Sequence, residues 1–329
     1  MPKILKPTWT LTKLRGWPSV MEVNPNYITV IIFSFQFGLM YGDIGQGLIF
    51  LVLGYYLSRK STRGLTYRVG GLMVPMGISA IIFGFAYDSV FLIEHGISNW
   101  LHNAHITLPF HYPIMPNPVL ETTKLMLLVF RIAMLEIVFG LILGAYNQIK
   151  AGNPVGAIGE HGLGMILYVI GLYQTAMYFI SIGMDFMGAL GSPWFLVCIA
   201  GMLLSFLEPV IHSLQHGHGI GMEAIGEGVG GLLMTFVEGL ANMFSFLRIA
   251  AFALAHASLA IAAEALSHSL GIAGIGLVVM NVIALTFEMI SSSVQSLRLL
   301  YYEFMGKFYQ GDGIPFKPFR LRAQQATES

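Results

Sequence analysis

The chain has 329 residues, 55% hydrophobic and 10% charged, with 17 basic against 17 acidic side chains and a mean hydropathy of +0.71. That balance excludes a soluble domain and a nucleic-acid-binding surface and calls for an integral membrane protein. The single cysteine, Cys198, excludes a disulfide framework within the chain. No HExxH, CxxC or Walker A loop offers a hydrolytic or nucleotide site, so the chain is read as having no catalytic site of its own, no cofactor and no metal.

Residues 1–26 carry Lys3, Lys6, Lys13 and Arg15, broken by Pro7 and Pro18. They lack the apolar core of a signal peptide and read as a cytoplasmic lead-in to a transmembrane domain over 27–310. Residues 28–57 are apolar except at their centre, YGDIGQG. One continuous helix there would be about 45 Å long, against a bilayer core of about 30 Å. It would also put the basic N-terminus and the basic loop of Arg59, Lys60, Arg63 and Arg68 on opposite sides, against the positive-inside tendency. A break between Gly42 and Gly47 gives two short helices that return the chain to the side it came from. Asp43, flanked by glycines, reads as a turn or helix-cap residue.

Further apolar runs lie at 69–90, 124–148, 162–184 and 193–211, each near the roughly 20 residues that a spanning helix needs. Between the first two, an outer loop over 88–123 has no Lys or Arg from Asp88 to Glu121. It holds His95, His102, His105 and His111, while His212, His216 and His218 follow Glu208. Neither group completes a ligand set, and both read as solvated or interfacial histidines. Two long segments close the domain, at about 228–263 and 273–308, and a basic tail over 311–329 carries Lys317, Arg320 and Arg322. The expected architecture is an all-α polytopic bundle of about eight helices, with the first pair short and the last two long and tilted, and with both termini inside.

The last two segments hold ionisable side chains within apolar surroundings. On a helical wheel at about 100° per residue, Glu238, Asn242, Ser245, Arg248 and His256 share about a third of the first circumference, and Glu288, Ser292, Gln295, Arg298 and Tyr302 share as much of the second. In each stripe a glutamate precedes the arginine by ten positions, about 15 Å along the axis and too far for an ion pair within one helix. These groups must meet water, one another across helices, or a partner. Asn242, Ser245, Ser292 and Gln295 taken singly suit interhelical packing. Arg248, Arg298, Glu238 and Glu288 point to function, because a mid-membrane arginine costs roughly 2.5 kcal/mol or more. His256 fits either an interhelical hydrogen bond or a proton relay.

Three stretches carry a resemblance: EVNPNYITVIIFSFQFGLMYGDIGQG, SFLRIAAFALAHASLA and LRLLYYEFMGKFYQGDGIPFKPF. In this order they resemble the membrane entry and the last two membrane helices of subunit a of V-type ATPases, called subunit I in the A-type enzymes. The resemblance implies a stator with two offset half-channels, against which a ring of proteolipid (c or K) subunits turns, each with a mid-membrane carboxylate. It implies that Arg248 meets the ring carboxylate, that Arg298 is the second arginine, and that Glu238, His256 and Glu288 line the outer half-channel. Glu303 and Gln295 are implied on the ring path or the inner channel. Further implied partners are the peripheral-stalk subunits, the central-stalk-side subunit (d or C) and membrane lipid. Ile249, Ala250 and Gln46 depart from the usual family pattern of bulky residues after the arginine and histidine at the glycine turn. These departures suggest a prokaryotic member in the plasma membrane. The family's soluble arm, which would precede residue 1, is absent here; a membrane-domain fragment and a separately encoded arm both fit. An independent secondary transporter would need an inverted repeat, which the halves lack. A purely structural anchor would need Arg248 and Arg298 to find carboxylates within this chain.

Overall fold

Glycine, proline and charge punctuate the apolar runs, and helices form between them. The computed structural model describes residues 9–19, 22–60, 64–105, 112–159, 162–215, 222–269 and 275–314 of an all-α polytopic bundle. The basic residues Lys3, Lys6, Arg63, Lys317, Arg320 and Arg322, and His111, His216 and His218, lie outside the described residues. Helix α1 is Trp9–Arg15, α2 Asn26–Met40, α3 Ile44–Lys60 and α4 Leu65–Tyr87. A two-residue hairpin comes next, β1 Ser89–Val90 antiparallel to β2 Ile93–Glu94, and then α5 Gly96–Asn103. The rest is helical: α6 Thr122–Lys150, α7 Leu163–Ser181, α8 Phe186–Leu190, α9 Pro193–Gln215, α10 Met222–Ser245, α11 Leu247–Ser269, α12 Ile275–Ile283 and α13 Met289–Leu299. Among the described residues, six helical spans are long and apolar enough to cross a membrane, the last two being Ile225–Ser267 and Gly276–Lys307; α2 is shorter.

The expected break in the first segment falls at Tyr41-Gly42-Asp43, between α2 and α3. Both helices pack on α4. Gly38 and Gly42 approach Ser79 and Phe83, so α2 runs parallel to α4; Gly47 and Gly54 approach Ala80 and Met73, so α3 runs antiparallel to it. The chain therefore returns on itself. The α3/α4 seam is close because side chains are missing from it: a Cβ on Gly77 would stand 2.7 Å from the Leu51 nitrogen.

Among the described residues the two larger apolar cores flank the last helix. One joins α6, α7 and α9 to Met243, Phe246, Ile249 and Leu299. The other joins α1, α2, Phe50 and Met76 to Leu300, Phe304, Met305 and Phe308. The start and end of the described chain meet: Gly313 N–H donates to Trp17 O at 2.8 Å, and the Glu22 carboxylate accepts from Gln310 N–H at 2.8 Å. Asn147, at the end of α6, joins the same end of the bundle by donating to Phe308 O at 2.7 Å and accepting from Val23 N–H at 3.1 Å. The hairpin and the 112–121 loop occupy the opposite end.

Both of the long closing segments depart from the regular wheel. The first turns at Phe246, where Phe246 N–H bonds Met243 O and Ile249 N–H bonds Phe246 O, three residues apart. The second contains two π-turns, Ala284–Glu288 and Leu300–Phe304, before a 3-10 turn at Met305–Lys307. Each π-turn takes in an extra residue and shifts the phase of the helix beyond it.

Candidate functional site

Polar side chains otherwise scattered in sequence collect in three groups along the bundle. At the hairpin end, Glu288 finishes the first π-turn, His256 lies two turns beyond Arg248 on α11, and Asp43 sits at the α2/α3 break. All three are buried. His256 Nδ1 is 3.1 Å from both Glu288 oxygens, and its Nε2 is 3.9 Å from Asp43 Oδ2. Asp43 accepts from Gln46 N–H (2.9 Å), Ser89 O–H (3.1 Å), Phe91 N–H (3.0 Å) and Leu92 N–H (2.9 Å), so it caps α3 and ties down the hairpin at once. Gln46 accepts from the Tyr41 hydroxyl and donates to Asn281 Oδ1 at 2.8 Å. A narrow cleft reaches His256 past Ser89, Glu94 and Asn117, with about 20 Å³ open to a water's centre. That is room for about one water. Glu94, half-buried in its lining, accepts from Asn117 Nδ2 at 3.3 Å.

The second group holds the arginines. Glu303, turned inward by the second π-turn, accepts from the Ser245 hydroxyl and has Arg248, Arg298 and Lys307 as charged neighbours. Among the described residues neither arginine comes within 4 Å of a carboxylate. Arg248 Nη1 and Glu303 Oε2 are buried without a hydrogen-bond partner, as are Asn242 Nδ2, Ser292 Oγ and Gln295 Oε1. Arg298 is exposed, in line with the exposed Phe287, Ile290, Val294 and Tyr302. Beside it α11 presents Ala251, Ala255, Ser258 and Ala262 outward.

The third group lies at the end where the termini meet. Buried Lys307 pairs with half-exposed Glu238 across helices. Lys307 also lines a wider cleft, with about 210 Å³ open to a water's centre, whose wall includes Glu22, Gly144, Asn147 and Gln148.

The structure corrects the wheel in two places. The stripe on the last helix is a diagonal: Glu288 and Ser292 are buried, Gln295 is half-buried, and Arg298 and Tyr302 face out, Tyr302 at 72% exposure. Glu238 does not join His256 and Glu288 at the hairpin end. It meets Lys307 at the opposite end, because it lies about five turns before His256 and the turn at Phe246 intervenes. Sequence reasoning missed Glu136 and Gln36, which form a buried pair between α6 and α2, and Lys307 as a membrane-buried cation. Glu136 was findable as an acid inside the apolar run 124–148. Of the outer-loop histidines, His95 Nδ1 lies 3.5 Å from Asp88.

The V-type ATPase 116kDa subunit family matches over residues 10–106 and 236–321. Among curated proteins, the chain is 27% identical to A-type ATP synthase subunit I of Methanocaldococcus jannaschii, covering 99% of this chain and 49% of that protein. It is 26% identical to the subunit I of Halobacterium salinarum (97% and 50% covered) and 25% identical to that of Aeropyrum pernix (98% and 51%). The chain thus spans about half the length of the curated relatives it matches. The matched segments contain the arginines, the His256 group and the Lys307 pair, and by that match the chain belongs to the V-type ATPase 116kDa subunit family.

Proposed function

We propose that the chain is the ion-conducting part of a stator in the membrane sector of an A/V-type rotary ATPase, carrying protons to and from the carboxylates of a rotating proteolipid ring. One observation carries this reading: half-buried Arg248 and exposed Arg298 lie within membrane-spanning helices with no carboxylate at ion-pair distance among the described residues. A cation at that depth needs a counter-charge, and a passing ring carboxylate supplies it. The small residues of α11 let a partner helix approach closely, which suits a rotor face.

In this reading the Glu94-to-His256 cleft is the outer route and the Lys307 cleft the inner one, with the termini inside. Between Glu288 and Lys307 the fully buried Ser296 and Leu299 keep the two apart. A proton arriving at Glu94 would pass through water to His256 and Glu288, then to the ring. A guanidinium holds its charge at any working pH, so Arg248 favours the ionised ring carboxylate and forces proton release there. Glu303, with Ser245, takes or supplies the proton on the inner side. The peripheral-stalk subunits and the central-stalk-side subunit belong to the same proposal, through the family.

The test is coupled proton flux in vesicles holding the assembled complex. Arg248→Ala should abolish flux with assembly intact, and Glu288→Gln should reduce it. Normal flux in the assembled arginine variant would overturn the reading.

A further inference from the structure

Glu136 is an acid in the middle of α6, within a 29-residue apolar helix that the family match does not reach. It is buried, and an ionisable group at that depth has a task or a strong structural partner. Its hydrogen-bond partner is a neutral one, fully buried Gln36, whose Nε2 donates to Glu136 Oε1. Gln36 Oε1 and Glu303 Oε2 are both buried without a donor. The α6 turn that carries Glu136 also lies against the turn that carries Glu303: Phe139 stacks on Phe304 at 5.9 Å, and a Cβ on Gly140 would stand 3.3 Å from Phe304 and 3.5 Å from Lys307 Cβ.

A carboxylic acid and a primary amide can exchange two hydrogen bonds, the amide N–H to the acid carbonyl and the acid O–H to the amide carbonyl. The vacant acceptor on Gln36 is the one that an O–H on Glu136 would fill. The surroundings differ in charge. Glu303 has Arg248, Arg298 and Lys307 as charged neighbours, whereas Glu136 has the neutral Gln36 as its hydrogen-bond partner and the acid Glu303 nearby. Two carboxylates sharing a buried site do not both stay ionised easily.

Resting on the stator reading, we propose that Glu136, paired with Gln36, is a proton-holding carboxylic acid that exchanges its proton with Glu303 on the inner route. In the exchange an O–H bond on Glu136 breaks as one forms on Glu303, whose unpartnered oxygen is the acceptor. The reverse step occurs when Glu303 next takes a proton from the inner cleft or the ring. No other reactant is needed. Glu136, Gly140, Gly144 and Asn147 lie on one face of α6, and the last two line that cleft.

The experiment combines infrared difference spectroscopy of the assembled complex, with carbon-13-labelled glutamate, and proton flux across a range of pH. Wild type should show a protonated-carboxyl band at neutral pH that Glu136→Gln removes and Gln36→Leu shifts. Flux in Glu136→Gln should fall roughly tenfold or more, with an altered pH profile. Absence of such a band, or a band that neither variant changes, overturns the proposal. So does an assembled Glu136→Gln complex with the flux and pH profile of wild type. Should Glu136→Gln not assemble, the Gln36→Leu shift decides alone. Arg248→Ala run alongside separates the two readings: flux surviving there removes the stator reading, while the band still reports on Glu136.

Discussion

Four donors converge on the two oxygens of Asp43, and only a carboxylate accepts from all of them. Asp43→Asn keeps the shape but turns one acceptor into a donor facing donors. We expect about 3 kcal/mol of lost stability, seen as a lower melting temperature of the complex and as faster hydrogen exchange at Phe91 and Leu92. The Lys307–Glu238 pair is asymmetric in burial, and its two truncations should differ accordingly. Glu238→Ala leaves a buried ammonium unpaired and should cost about 3 kcal/mol. Lys307→Ala leaves a carboxylate that can reach water and should cost about 1 kcal/mol or less. Equal losses in melts of the two variants would mean that Lys307 finds another partner when Glu238 is gone.

At the level of helices, the glycine seam between α3 and α4 sets how near the hairpin-end group can sit to the last helix. Gly77→Val should force the two backbones apart at Leu51 and cost about 2 kcal/mol or more, measured by thermal unfolding in detergent. The break that makes α3 a separate helix was legible in the sequence, since three glycines and an aspartate interrupt an apolar run that is too long for one crossing. The arginines were legible for the same kind of reason, charge where apolar side chains belong. The π-turns at Ala284–Glu288 and Leu300–Phe304 were not. A wheel with a fixed period makes no allowance for an inserted residue, so it set Glu288 and Tyr302 on one stripe although one is buried and the other faces out. Glu136 escaped because a lone acid has no periodic companion; what gives it a place is Gln36, 100 positions away in the chain.

For the whole molecule, the two clefts open at opposite ends, and that can be tested without any transport assay. In sealed vesicles, Asn117→Cys should react with a membrane-impermeant thiol reagent from the outer side only, and Gln148→Cys from the inner side only. The native Cys198 is buried among apolar side chains and should contribute little background. Labelling of both from one side would mean that the clefts share an opening. The joined ends of the chain carry a mechanical consequence. Arg15 donates to Tyr301 O, the Tyr301 hydroxyl donates to Leu11 O at 2.8 Å, and the Tyr309 hydroxyl donates to Gly16 O at 2.9 Å. A pull on α1 is thereby delivered through these three bonds to the helix bearing Arg298, so the chain's first helix and the arginine-bearing one move as a single braced unit.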